Sequence, residues 1–75
     1  VGTYSGEEIR ITNRRLDRKK VRDIAFSPSG SIVVVRRNKE VLIPHGDTAM
    51  LYGDMITVIG DTKALVDFRD KFQRG

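Results

Sequence analysis

Few side chains in this chain are equipped for bond-making chemistry. Cysteine is absent and His45 is the only histidine, so a hydrolytic triad has one possible base and no thiol nucleophile. We therefore expect no catalytic residues and read His45 as a loop residue. Asp47, Asp54 and Asp61 follow Gly46, Gly53 and Gly60 at even intervals of seven. That spacing lacks the alternate carboxylates of a calcium loop. It fits turns, where glycine reaches positive φ and aspartate bonds nearby backbone N–H groups. We expect no metal site.

Charge offers a different chemistry. Fourteen Lys and Arg against ten Asp and Glu give a net charge of +4. The excess is concentrated in Arg14, Arg15, Arg18, Lys19, Lys20 and Arg22, opposed there only by Asp17. Arg14, Arg15, Lys19 and Lys20 are candidate contacts for a phosphate, whether of nucleic acid, anionic lipid or a nucleotide messenger. A nucleic-acid surface also needs exposed aromatics. Here Phe68 and Phe72 are committed to a helix stripe and Tyr4 and Tyr52 to loops, leaving only Phe26, which argues against nucleic acid as the partner.

The elements that would position these groups are legible in outline. Residues 8–12 alternate polar and apolar, as a half-buried strand does. Asn13 or Asp17 can cap a short helix running to about Ala25, with Val21, Ile24 and Ala25 as its apolar stripe. Ser27-Pro28-Ser29-Gly30 breaks the chain. Residues 32–35 form a continuous β-branched run expected of a central strand buried on both faces, its end guarded by Arg36, Arg37 and Lys39. Asn38-Lys39 suits a tight hairpin into residues 40–43, and Pro44 fits at that strand's exit. Residues 45–54 read as a loop with Leu51 and Met50 turned inward, and residues 55–59 as the last strand. In residues 62–73, Leu65, Phe68 and Phe72 recur at helical spacing, Asp67 faces Lys71 one turn on, and Asp61 or Thr62 supplies the N-cap. The expected fold is α+β in the order strand, helix, three strands, helix: one domain over residues 1–75, with a mainly antiparallel sheet and the last helix packed on it.

Seventy-five residues bury only about 60% of their extended surface, and no disulfide can brace the core. A homodimer is the expected remedy. The absence of cysteine suits a reducing compartment, no apolar run approaches the ~20 residues of a spanning helix, and the chain starts at Val1. The expectation is a cytoplasmic piece excised from a larger protein.

From Leu16 to Phe72, about three quarters of the chain, the ordered set of residues 32–36, Asn38-Lys39, residues 41–44 ending in Ile-Pro, Asp47-Thr48, Leu51, Gly53-Asp54 and residues 56–60 resembles the TrkA C-terminal domain, also called the RCK C-terminal domain. Asp17-Arg18 stands where that family often has Gly-Lys. The resemblance implies a dimeric, ligand-sensing regulatory domain of a potassium channel or transporter, a cation/proton antiporter, or a chloride or anion transporter in the cell membrane. Its partners would be a second copy and a membrane-embedded transport domain. Complete regulators place a nucleotide-binding Rossmann domain before this module. This chain has no Gly-x-Gly-x-x-Gly, so NAD or ATP is not carried over and no cofactor is expected in the fragment itself. Some relatives bind cyclic di-AMP between protomers, through the loop entering the hydrophobic strand. Here that loop is Phe26-Ser27-Pro28-Ser29-Gly30-Ser31, with serines where binders carry a basic residue and an asparagine. For a shared small-molecule pocket the candidates are Ser27, Ser29, Ser31, Arg36 and His45. A small basic nucleic-acid-binding domain and a ligand-free structural dimer module are the alternatives.

Overall fold

The computed structural model describes residues 3–74. Among these residues four strands, β1 (Ser5–Arg10), β2 (Gly30–Arg37), β3 (Glu40–Leu42) and β4 (Met55–Gly60), precede a single α-helix, α1 (Thr62–Gln73). The sheet is antiparallel throughout and ordered β1-β4-β2-β3. β2 and β4 therefore share the centre.

α1 covers one face of this sheet. Ala64, Leu65, Phe68 and Phe72 are buried from the helix side, against Ile9, Val35, Ile56 and Val58 from the strands. Phe26 completes an aromatic trio, its ring centroid 5.1 Å from that of Phe68 and 5.8 Å from that of Phe72. The helix begins where the side chain of Asp61 accepts from the Ala64 N–H at 2.9 Å. Close approach at this end requires glycine. Gly30 and Gly60 are cross-strand partners, and a Cβ on either would fall within 2.8 Å of the Ala64 Cβ. The expected residue range, cap and stripe of this helix are all observed.

The strand at residues 32–35 departs from expectation. With only one helix to cover the sheet, its second face stays open. Val35 is fully buried, yet Val33 is 42% exposed, beside an irregularity in register between Ile32 and Val34. The hairpin is as read, with Asn38 at φ 55°, although β3 ends at Leu42 and leaves Ile43 exposed. The first strand begins three residues early. Ile11 lies beyond it but keeps the pairing through its N–H to the Asp54 carbonyl and its own carbonyl to the Gly53 N–H, both 2.8 Å.

The helix expected over residues 13–25 does not form. Two 3-10 turns, Arg14–Leu16 and Val21–Asp23, take its place. Asn13 does cap the first of them, accepting from the Arg15 N–H. Arg18 then enters the left-handed region at φ 69°, and the backbone turns to residues 46–50 for partners. Arg18 N–H donates to the Met50 carbonyl, Met50 N–H to Lys19, Val21 N–H to Thr48 and Arg22 N–H to Gly46. Peptide groups used across the molecule are lost to an i→i−4 ladder. Met50 is fully buried by this arrangement, whereas Leu51 is only partly so.

Candidate functional site

The structure divides the residues singled out above among four places. Ser27 and Ser29 meet at the N-terminal end of α1. Their hydroxyl oxygens are 3.0 Å apart, the Ser29 hydroxyl donates to Asp61 at 2.8 Å, and the Ser27 N–H donates to Asp67 at 3.1 Å. The Ala64 N–H, and after it the Ser29 hydroxyl, hold the Asp61 carboxyl below the usual carboxylate range. Ser31 begins the exposed row of β2 opposite Ile59. With Tyr4, Pro28, Ser29, Gly30 and Ile59 it lines a shallow hollow of about 190 Å³.

Arg36 lies five residues further along the same strand, roughly 16 Å away at the rise of an extended chain. It points from the open sheet face, with its guanidinium 3.6 Å from Glu8. His45 is in the loop after β3, where its N–H donates to the Thr48 hydroxyl at 2.8 Å. Within one copy, then, Ser27, Ser29 and Ser31 are neighbours, and Arg36 and His45 are not among them.

The basic segment is only partly available. Arg22 pairs with Asp47 at 2.7 Å and Arg18 lies 3.7 Å from Asp17. Arg14 stacks on Tyr52, 4.1 Å from the ring centroid. Arg15, Lys19 and Lys20 are exposed and make no ion pair among the described residues. Phe26, the aromatic left for base stacking, is taken up by the trio against α1.

The three Gly-Asp pairs carry separate structural duties. Asp47 meets Arg22 and Asp61 caps α1. Asp54 has a role that its sequence position does not reveal. Only 2% exposed, it receives Arg37 through both Nε at 2.9 Å and Nη2 at 2.7 Å, and also the Leu51 N–H at 2.9 Å. The Arg37 Nη2 reaches the Ala49 carbonyl as well. A strand-end arginine thus fastens the second half of this loop, residues 49–54, and its bond to Asp54 raises the arginine's own pKa. Seventeen residues separate the partners, and nothing in the local sequence of either announces the pair.

These features define a small α+β module, a four-stranded antiparallel sheet with one face covered by a helix and one open. The TrkA-C domain family matches residues 7–73, and the chain belongs to that family. Trk system potassium uptake protein TrkA homolog 2 of Methanosarcina mazei is 30% identical over 60 residues, covering 80% of this chain and 13% of that protein. A putative transport protein of Dichelobacter nodosus is 32% identical over 63 residues, covering 81% of this chain and 11% of that protein. The chain thus spans only about an eighth of such relatives. Among solved structures, one described as "Structure of RCK domain with cda" superimposes with a TM-score of 0.84 at 29% identity, covering 91% of this chain and 97% of that one. No helix among the described residues is long and apolar enough to cross a membrane.

Proposed function

We propose that this chain is one module of a larger transport protein, where it pairs with a second copy and couples a small-molecule signal to an ion-conducting or transporting partner domain. The observation that carries the reading is the open sheet face. Ile59 and Val41 project from it at 42% and 64% exposure, a quantity of apolar surface that a 75-residue domain gains from covering. The likeness to an RCK domain solved with cda supports a ligand of the cyclic dinucleotide class at the loop of residues 26–31. Ser27, Ser29 and Ser31 would contribute from one protomer, while Arg36 and His45 could join them only across the pair. Such a ligand passes energy onward only by binding one dimer arrangement better than another.

Sedimentation equilibrium tests the pairing: a concentration-dependent dimer is expected, and a strictly monomeric chain at high concentration overturns it. Melting the chain with cyclic di-AMP present tests the ligand. A ligand that binds only the folded state raises the melting temperature, and an unchanged melting curve in a chain that dimerises leaves a purely structural pairing module.

A further inference from the structure

The open face holds a second concavity, away from the serine loop. One row of side chains crosses the whole sheet there: Arg10 on β1, Met55 on β4, Arg36 on β2 and Val41 on β3 are successive cross-strand partners. Neighbouring strands lie about 4.8 Å apart, which sets Arg10 and Arg36 roughly 10 Å apart with Met55 as the floor between them. The β2–β3 hairpin, through Asn38, Lys39 and Glu40, walls one side, and Gly53 walls the other. The half-open groove has a volume of about 440 Å³, within the ordinary range for a small-molecule site.

Its electrostatics select a ligand class. The Arg10 Nη1 donates to the Gly53 carbonyl at 2.8 Å, which aims the guanidinium while leaving most of its five donors unspent. Arg36 sits 3.6 Å from Glu8, both half exposed, a loose pair that an incoming oxyanion can displace at little cost. Lys39 has no ion pair among the described residues. Three cations thus face a space whose one lining carboxylate is Glu40. Gly53, at φ 89° with nothing within 4 Å of a would-be Cβ, leaves its wall open.

We infer that this groove binds a phosphorylated sugar or polyol: Arg10, Arg36 and Lys39 take the phosphate, Met55 supports the carbon skeleton, and Glu40 accepts from a hydroxyl. An acidic side chain within the site opposes a polyanionic strand, whose charge would meet it at close range, and favours a ligand with one anionic end and hydroxyls at the other. The groove lies at the other end of β2 from the loop of residues 26–31 and shares only Arg36 with the cyclic dinucleotide reading.

Ribose 5-phosphate is a suitable probe. In a two-dimensional amide NMR titration of the 75-residue chain at low salt, saturable shifts are expected at Arg10, Arg36, Asn38, Gly53 and Met55, with inorganic phosphate moving the same signals more weakly. Arg36→Gln should weaken binding about tenfold, the scale of one charge-assisted hydrogen bond. Lys39→Gln, on an exposed hairpin, should weaken it several-fold and provides the test if the first variant does not fold. A response that never saturates, equal shifts at Arg15, Lys19 and Lys20, or undiminished binding in both variants overturns the site. Signals from residues 26–31 report the dinucleotide reading separately.

Discussion

The carboxylate of Asp54 makes three hydrogen bonds and has almost no water to help. It takes two from Arg37 and one from the Leu51 N–H, so removing it strands a guanidinium that is itself three-quarters covered. Breaking a buried pair from one side is far costlier than replacing both partners. Asp54→Ala is therefore expected to lower unfolding stability by about 3 kcal/mol, at the low end of the range because Arg37 keeps some solvent contact. Combining it with Arg37→Met should cost less than the two single changes summed. Urea unfolding of the three variants, read as a double-mutant cycle, gives that coupling directly; additive costs would mean that the pair does not hold the loop.

The elements differ in how far local sequence determines them. α1 was legible because everything that fixes it is within thirteen residues: Asp61 caps it, Leu65, Phe68 and Phe72 share a face, and Lys71 meets Asp67 at 3.3 Å across one turn. Asn38 likewise announces its hairpin by tolerating φ 55°. Residues 13–25 were misread, since Val21 and Ile24 mimic a helical stripe while the partners of their backbone lie in residues 46–50. Distance in sequence also hid the pairing of Arg37 with Asp54, seventeen residues apart, and within one copy Arg36 lies away from the serine cluster. Packing between elements makes its own demand at Gly60. Gly60→Ala would place a methyl 2.7 Å from the Ala64 Cβ and 3.1 Å from the Ser29 carbonyl. A loss of about 1–3 kcal/mol is expected from such overpacking, measurable by thermal unfolding; a neutral result would show that the helix can lift off the sheet freely.

For the molecule as a whole, acid is the informative perturbation. Glu7, on β1, receives both Nε and Nη2 of Arg69 from α1 at 2.7 and 2.8 Å, and that hydrogen bonding holds its carboxyl below the ordinary value. Asp61 is lowered likewise by its cap bond. For both groups the unfolded chain binds protons first as pH falls. Their contributions are thus complete above the ordinary carboxylate pKa of about 4 and vanish as pH drops through the lower folded-state values. The melting temperature should decline below about pH 5, and Glu7→Gln or Asp61→Asn should flatten that decline. An identical pH profile in both variants would remove these two carboxylates from the acid response.

α1 is also fastened at its far end. The Asn13 side-chain amide donates to the Lys71 carbonyl at 3.0 Å, and the Thr12 and Asn13 N–H groups both donate to Phe72, at 3.0 and 2.9 Å. With the glycine contact at one tip and this clasp at the other, the rod is tied to the sheet at both ends. Helix and sheet are therefore expected to shift as one body, which hydrogen exchange would show as protection of α1 amides matching that of β2 and β4.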